Sequence, residues 1–381
     1  MNNIKDIKKL FKKLKTPNDV YNPAVLPLDA CTWFNLLSDR SRGKTTQIIL
    51  LGMCDNAING TKIEYVRSRE EYIAPKVIID IFSVIKNPEY KYIEILTDGK
   101  YNTIVYKSRR FYYATIDEKM NITDTAPEYF MHICSVDKAE SLKSGYATSN
   151  SDFIIYDEFI GKYYYKNEFV QFCDLLKTLL RDRSGAKIFM LSNTIDRHSP
   201  YFEEMLISDD ILSMQQGDKK IITTPKNTNI YVEILGKNIS KKRHFLNMEY
   251  FGFDNPALSS ITGAETWAFS NYQHLPDDTE IKILHRGIYV KHNNVLIALD
   301  VIKTDKHGSC IFCHKATRYY DDSIIYSLGE RETNNFIYGL GVTPQQKLIW
   351  ELYKQNKFYY ATNEVGYTVE NYVLSAKKNR L

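Results

Sequence analysis

The chain has 381 residues, 44% of them hydrophobic and 25% charged, so it can bury a large core and is long enough for two domains. No apolar run approaches the roughly 18 residues that a membrane-spanning helix needs, so we expect a cytosolic protein with no membrane partner. The formal net charge of +4 is too small to indicate nucleic-acid binding by itself.

Residues 1–16 have the pattern of an amphipathic, basic helix. Apolar residues recur at helical spacing, and lysines occupy most of the remaining positions. The apolar residues are Ile4, Ile7, Leu10, Phe11 and Leu14, and the lysines are Lys5, Lys8, Lys9, Lys12, Lys13 and Lys15. Such a helix can cover the core, lie on a membrane surface, contact nucleic acid or dock on a partner protein. The pattern favours a helix that covers the core and leaves the other possibilities open.

The segment SDRSRGKT at 38–45 follows an apolar run and has the pattern of a phosphate-binding loop. Gly43 allows close approach of the backbone, Lys44 supplies charge for the terminal phosphates, and Thr45 supplies a hydroxyl for Mg²⁺. The helix predicted to start here adds its positive N-terminal end. The residues predicted to bind ATP are Ser38, Asp39, Arg40, Ser41, Arg42, Gly43, Lys44, Thr45 and Thr46.

Strands and helices alternate through the next part of the chain. This alternation, with continuous apolar strands, predicts a mostly parallel sheet covered on both faces. Strands are predicted near 31–37, 61–67, 92–97, 103–107, 130–135, 152–157 and 187–192, and helices at 44–57, 69–86 and 166–181. Within this pattern, Asp98-Gly99 has the composition of a hairpin turn.

Two later strands end in polar residues that suit nucleotide hydrolysis. FIIYDE at 153–158 ends in Asp157, predicted to hold Mg²⁺ with Thr45, and Glu158, predicted to polarise the attacking water. KIFMLSNT at 187–194 ends in a polar cluster that contains Asn193. Because open α/β sheets bind ligands at the carboxyl ends of their strands, these residues and the loop predict one site. The alternative interpretation is a buried strand that runs into an acidic turn.

The C-terminal part has a different composition. Residues 206–280 mix turn signals and charge and are predicted to form a linker or lid, with a helix at 258–273. This segment contains a basic run that is either exposed to solvent or faces DNA or a structural RNA. The run consists of Lys237, Lys241, Lys242 and Arg243. Residues 281–345 return to strands, with a hairpin at Asn293-Asn294, and a helix is predicted at 343–355. Successive strands followed by a helix predict a small α+β domain.

The motif CxxCH at 310–314 is compatible with haem attachment, half of a zinc site flanked by His307, or a plain strand. The strand is favoured, because no second cysteine pair and no sign of export accompany the motif. We expect all six cysteines to be reduced and unbridged.

The loop is similar to that of viral large terminases, with Arg40 at the position of an arginine that this family carries there. The strand ending in Arg67, the Lys-Ser pair at 143–144 and the SNT at 192–194 resemble further stretches of the family. The resemblance covers about residues 25–210, and these variants look closest to the packaging ATPases of φ29-like phages. Ser38 and Ser41 replace the usual glycines of the family, so the loop is expected to be stiffer than the family's or to have a different shape.

The resemblance implies a P-loop, ASCE-type NTPase that hydrolyses ATP with Mg²⁺ to move double-stranded DNA into a procapsid. It implies a homo-oligomeric ring at the portal, in the host cytoplasm, with a structural RNA as a further candidate partner. Arg40 would contact the γ-phosphate in cis, and Asn193 would sense its loss. An arginine from a neighbouring subunit would stabilise the charge of the transition state, and the candidates are Arg181 and Arg183. The alternative is that these two residues only interact with the dipole at the C-terminal end of their helix.

The resemblance also implies the domain plan. Residues 1–205 would form the ATPase domain, 206–280 the linker or lid, and 281–381 an RNase H-like nuclease domain in degenerate, nucleic-acid-holding form. Candidate nuclease acids are Asp300, Asp321, Asp322 and Glu330, of which only Asp300 closes a strand well.

Three other functions stay open at this point. They are a terminase with a working nuclease, a helicase-like or AAA+ ATPase, and a nucleotide-binding scaffold without turnover. The last is the least favoured, because both Lys44 and Glu158 are present.

Overall fold

The computed structural model describes residues 3–38, 42–139, 151–161, 167–181, 183–193, 199–236, 272–292, 295–329 and 333–378. Contacts divide the chain into two compact units, a first that contains the described residues up to 236 and a second that contains those from 272 onward. Within the described ranges, no helix has the length and apolar character needed to cross a membrane.

The first unit is built around a sheet with a parallel centre. In order across the sheet, the parallel strands are β6 (Met131–Ser135), β2 (Ile63–Arg67), β7 (Phe153–Asp157), β8 (Lys187–Asn193), β1 (Trp33–Ser38) and β10 (Asn229–Ile234). Because they run in one direction, their carboxyl ends meet at one edge, where Ser38 is paired with Asn193 and Asp157 with Leu191. The predicted parallel sheet, with the loop strand and both polar strand ends, is confirmed.

Antiparallel strands extend this centre on both sides. They are β3 (Thr103–Lys107), β4 (Arg110–Ile116) and β5 (Ile122–Thr125) beside β6, and β9 (Lys219–Thr223) beside β10.

Helices cover the sheet, and those predicted at 1–16, 44–57 and 166–181 are confirmed. The helices of the described part are α1 (Ile4–Lys13), α2 (Lys44–Asn59), α3 (Pro75–Ile78), α4 (Tyr92–Leu96), α5 (Glu168–Leu180), α6 (Pro200–Glu204) and α7 (Ser208–Ser213). The core helix α2 is buried along most of its length. It lies so close to the sheet that a Cβ on Gly52 would be 2.8 Å from Ile63 and 2.9 Å from Phe153. Glycine therefore sets the distance between α2 and the sheet.

Two predicted elements in the middle of the first unit are wrong. The continuous helix predicted at 69–86 is broken into short turns, because Pro75 keeps the preceding Ala74 extended. The strand predicted at 92–97 is the helix α4, and Asp98-Gly99 ends that helix instead of turning a hairpin. The hairpin of β3 and β4 turns at Ser108 and Arg109, whose φ angles of 52° and 63° suit a two-residue turn between twisted strands.

The boundary predicted at residue 205 falls inside the first unit. Strand β10 pairs with β1 from Trp33 to Leu37, and β9 pairs with β10, so the sheet continues to Ile234. The polar segment TTPKNTN, interpreted as linker, is the turn between these strands, with Asn227 in the left-handed region at φ 61°. The basic run at 237–243 and nearly all of the helix predicted at 258–273 lie outside the described residues.

In its described residues, the second unit has a mixed sheet with two helices packed on it. Its strands are β11 (Lys282–His285), β12 (Ile288–His292), β13 (Val295–Thr304), β14 (Gly308–Ala316), β15 (Ile324–Ser327), β16 (Phe336–Tyr338) and β17 (Phe358–Tyr360). They follow the order β16, β15, β12, β13, β14 and β17, with β11 beside β13. The helices are α8 (Pro344–Lys354), capped by Thr343 and Gln346, and α9 (Asn363–Lys378).

The predictions for this unit are confirmed in its hairpin and its first helix. The hairpin joins β12 and β13, and the turn residues at 293–294 lie outside the described residues. The helix α9 was missed, although Val365, Val369, Tyr372 and Val373 have helical spacing and are buried.

The side chains proposed for a nuclease do not gather in the described part of this unit. Asp300 is buried and bonded to His314 at 3.3 Å and to Arg286 at 3.5 Å. Asp321 and Asp322 are exposed in the turn before β15, and Glu330 lies outside the described residues. The RNase H-like identity stays a prediction; the observation is a mixed sheet with helices.

The strand interpretation of the CxxCH motif is confirmed. Cys310 and Cys313 are fully buried in β14, three positions apart and therefore on opposite faces of the sheet. Burial raises the pKa of the Cys313 thiol well above its ordinary value.

Candidate active site

The loop between β1 and α2 ends in a glycine that its backbone requires. Gly43 has φ +72°, and a Cβ there would lie 3.1 Å from Cβ of Val20. The helix α2 begins at the next residue, Lys44, and no described side chain caps it. The N–H groups of its first turn therefore lie at the carboxyl edge of the sheet, where an anion is favoured.

A cavity of about 400 Å³ opens at this edge. Its lining combines the end of the loop, the start of α2 and the ends of β7 and β8, all within the first unit. The lining residues are Arg42, Gly43, Lys44, Thr45, Thr46, Asp157, Glu158, Ser192 and Asn193. The sequence prediction that these segments share one site is thus supported by geometry.

Asp157 is held by hydrogen bonds from several directions. The hydroxyl of Thr45 donates to its two carboxylate oxygens at 3.0 and 3.1 Å. The hydroxyl of Tyr65 donates to Oδ2 at 2.6 Å, and the backbone N–H of Glu158 donates to Oδ1 at 3.1 Å. Four contacts from three elements hold this carboxylate in one orientation.

Glu158 stands beside Asp157 but faces a different environment. Its φ of +53° places a non-glycine residue in the left-handed region, which costs free energy and is common at functional sites. Its carboxylate pairs with the guanidinium of Arg67, at the end of the neighbouring strand β2, while 54% of the side chain stays exposed.

Arg67 places a positive charge beside both Asp157 and Glu158. Burial raises the pKa of the Asp157 carboxyl, and this is only partly opposed by Arg67 and by the Tyr65 hydrogen bond. Burial alone would lower the pKa of Arg67, but Tyr65 and Glu158 outweigh it and the pKa is raised. Arg67 therefore stays charged next to the two carboxylates.

Lys44 and Arg42 complete the positive side of the cavity. Lys44 is only 7% exposed, and its ammonium donates to the Ser38 hydroxyl at the end of β1. Arg42 donates to the carbonyl of Gly236 at 2.8 Å, just past the end of β10. The remaining predicted loop residues, Asp39, Arg40 and Ser41, lie outside the described residues.

Arg181 and Arg183 lie away from this cavity within the chain. Arg183 donates to Asp152 at 2.8 Å, at the edge where β7 begins, and to the carbonyl of Leu179 at 2.7 Å. Arg181 directly follows α5. Neither lines the cavity, so a role for either one in a neighbouring subunit stays a prediction.

The residues present fit Mg²⁺ and a nucleotide. Thr45 and Asp157 offer hydroxyl and carboxylate oxygens at the same point, which is the donor chemistry that Mg²⁺ prefers. Lys44 and the start of α2 supply positive charge where phosphates would lie. The cavity is within the roughly 300–1,000 Å³ range of small-ligand sites.

Sequence reasoning missed Tyr65 and the partner of Arg67. Tyr65 is fully buried in β2, and its contact with Asp157 depends on the pairing of β2 with β7. The only signal in the sequence was Arg67 at the end of an apolar run.

The first unit has a mixed, mostly parallel α/β sheet of ASCE-like type with a cavity at the carboxyl ends of its strands, and the second unit has a mixed sheet. No protein-family model matches the chain, and no curated protein matches it in sequence. Several solved structures match over most of its length, among them two with TM-scores above 0.5. The bacteriophage Phi-29 viral genome packaging motor assembly is 16% identical with a TM-score of 0.56, covering 94% of this chain and 100% of that chain. The Phi-28 gp11 DNA packaging motor is 16% identical with a TM-score of 0.51, covering 94% of this chain and 98% of that chain. The predicted resemblance to viral DNA-packaging ATPases is confirmed as a likeness of fold.

Proposed function

We propose that this protein is an ATP-driven motor that moves double-stranded DNA, and that the cavity at the ends of β1, β7 and β8 is its active site. The observation that carries the proposal is the meeting of Lys44, Thr45, Asp157 and Glu158 around one cavity. The likeness of fold to two packaging motors supports DNA as the substrate that is moved.

In this proposal, ATP is bound by the loop and by the start of α2. Lys44 neutralises the β- and γ-phosphates, and Arg42, with the predicted Arg40, adds positive charge. Thr45 and Asp157 would hold Mg²⁺, which when bound would supply positive charge at the phosphates. Tyr65 fixes the orientation of Asp157 through its 2.6 Å hydrogen bond.

Glu158 orients and polarises the attacking water. Its carboxylate is the more exposed of the two acids, so it can accept a proton from water at the open side of the cavity. Arg67 holds this carboxylate and thereby determines where it points. Asn193, at the end of β8, contacts the same cavity and would sense loss of the γ-phosphate.

The proposed assembly is a homo-oligomeric ring at a procapsid portal in the host cytoplasm. Arg181 or Arg183 of one subunit would reach the site of the next and stabilise transition-state charge. The second unit would be a degenerate, nuclease-like domain that holds nucleic acid, and a structural RNA is a candidate partner.

The test is the ATPase rate with and without duplex DNA, measured for wild type, Glu158→Gln and mixtures of the two. We expect DNA-stimulated turnover that falls faster than the fraction of mutant rises, because subunits of a ring depend on one another. A rate that falls in proportion to the mutant fraction would contradict a coordinated ring. If no ATP is hydrolysed under any of these conditions, the isolated chain is not a motor by itself.

Tyr65→Phe tests the orientation of Asp157. Loss of one hydrogen bond to a metal-holding carboxylate is expected to lower kcat/KM roughly tenfold and to raise the Mg²⁺ concentration needed. The Tyr65 hydrogen bond lowers the pKa of Asp157, so its loss raises that pKa further. The carboxylate is then protonated at a higher pH, and the acid limb of the rate profile should move to higher pH.

Tyr113→Phe is the matched control, since Tyr113 is also buried and its hydroxyl makes no hydrogen bond within the described structure. It should leave the profile unchanged. Equal profiles for the two variants would show that Tyr65 is only a packing residue.

A further inference from the structure

The helix α1 exposes a face made of lysines. Lys5, Lys9 and Lys12 lie three and four positions apart, which places them on one stripe of the helix, and all three are exposed. Lys13 is exposed beside this stripe. The only acid on α1 is Asp6, in the first turn. The stripe is therefore a compact line of positive charge.

The opposite face of α1 is fixed to the first unit. Ile7, Phe11 and Leu14 are 2–3% exposed and belong to the same core as α2. Lys8 donates to the carbonyl of Leu26 at 2.6 Å and ties the helix to the turn that follows it. The lysine stripe thus has a fixed orientation and points away from the core.

We propose that this lysine stripe is a docking surface for the phosphate backbone of double-stranded DNA. The stripe is charged, and none of the exposed large hydrophobic residues of the described chain lies on α1. A protein interface usually has an apolar centre, which this face lacks. A membrane-surface helix must insert its apolar face, but the apolar face of α1 is already buried in the protein.

The stripe is long enough to meet several phosphates of a duplex. Lys5 and Lys12 are seven positions apart, or roughly 10 Å along the helix. Duplex DNA carries one charge per roughly 1.7 Å of its axis, about six charges over this distance, so each of the three lysines can meet a phosphate. The choice of a duplex over a single strand rests on the proposed function. The stripe would neutralise several phosphates without reading sequence. The choice of duplex DNA over duplex RNA rests on the proposed function.

The test is binding of the full-length chain to a labelled DNA duplex, without ATP, at several salt concentrations. Each lysine that neutralises a phosphate contributes about 0.9 to the slope of log K against log salt. We expect Lys5→Gln, Lys9→Gln and Lys12→Gln together to reduce the slope by about 2–3 and to weaken binding at least tenfold at about 0.1 M salt.

Two control variants separate this surface from a general effect of charge. A second triple variant, Lys91→Gln, Lys100→Gln and Lys119→Gln, makes the same charge change at exposed lysines of the same unit. It should keep the wild-type slope. Replacing Lys5, Lys9 and Lys12 by arginine should also keep it, because the charge is retained. An unchanged slope in the α1 glutamine variant, or equal losses in both glutamine variants, would overturn the proposal.

Two further ligands test the choice of partner. Duplex RNA that binds tenfold more tightly than DNA through the same lysines would overturn the assignment to DNA. Anionic vesicles that lose binding in the α1 variant, while DNA binding is kept, would assign the stripe to membranes instead. Because no hydrolysis is involved, DNA binding through α1 can succeed or fail independently of the proposed ATPase, and the same series in a Glu158→Gln background checks this.

Discussion

Asp157→Asn is expected to lower kcat/KM for ATP with Mg²⁺ by roughly 10²–10³-fold, since a metal at a reacting phosphate contributes several kcal/mol. Asparagine keeps the shape of the side chain and can still accept from Tyr65 or Thr45, so the fold should persist. What is lost is the negative charge that would hold the cation. The rate should recover only in part at high Mg²⁺. The measurement is steady-state ATPase activity across a Mg²⁺ series, together with the melting temperature.

Asp55→Asn is the control for this prediction. Asp55 is also a buried aspartate, on α2, and it accepts hydrogen bonds from Asn59 at 2.6 Å and Thr61 at 3.2 Å. Burial raises its pKa as it does for Asp157, but Asp55 does not line the cavity. Its replacement should change the rate by no more than a few fold. Equal losses in both variants would show that the effect on Asp157 is structural.

Lys44→Met is expected to weaken nucleotide binding roughly 10- to 100-fold and to abolish measurable turnover, because charged hydrogen bonds are worth about 1.5–3 kcal/mol each. Methionine fills most of the space of the lysine stem, and loss of a buried charge removes a desolvation cost. The melting temperature should therefore hold or rise while binding falls. Calorimetric titration with a non-hydrolysable ATP analogue measures the affinity directly.

Lys187→Met is the matched change at the other edge of the same sheet. Lys187 begins β8, and its ammonium donates to the carbonyl of Cys31 at 3.0 Å. Burial lowers the pKa of Lys187. Lys44 is also buried, so the two lysines differ mainly in their place in the fold. This variant should bind nucleotide as the wild type does. Nucleotide affinity equal to that of the wild type in Lys44→Met would show that Lys44 does not bind the nucleotide.

The ends of the strands in this site were predictable for a physical reason. A strand buried on both faces of a parallel sheet is an uninterrupted apolar run, so the polar residue that ends it is visible in the sequence. Asp157 directly follows such a run, Ser38 follows one that only Asn35 interrupts, and Ser192 and Asn193 together end the third. The structure brings these strand ends to one edge. The pattern of the loop at 38–45 then indicated that the site binds phosphate.

The parts that were missed depend on distant pairing or on context. Tyr65 is one apolar-looking residue within β2, and only the pairing of β2 with β7 shows that its hydroxyl meets Asp157. The residues between β9 and β10 have the composition of a linker, and only the pairing of β10 with β1 shows that they form a turn within the sheet. The segment at 92–96 has β-branched and aromatic residues, yet burial of Tyr92, Ile93 and Leu96 favours a helix there.

The hydrogen bond from Arg42 to Gly236 joins the loop that follows β1 to the last described residue of the first unit. One residue earlier, the N–H of Leu235 donates to the carbonyl of Leu37 at 2.8 Å, so the exit of the chain is attached to both ends of the loop region. The last described residues of the first unit are therefore held by the residues on either side of the loop. A ligand that changes the conformation of Arg42 would act on the backbone at Gly236 through this hydrogen bond.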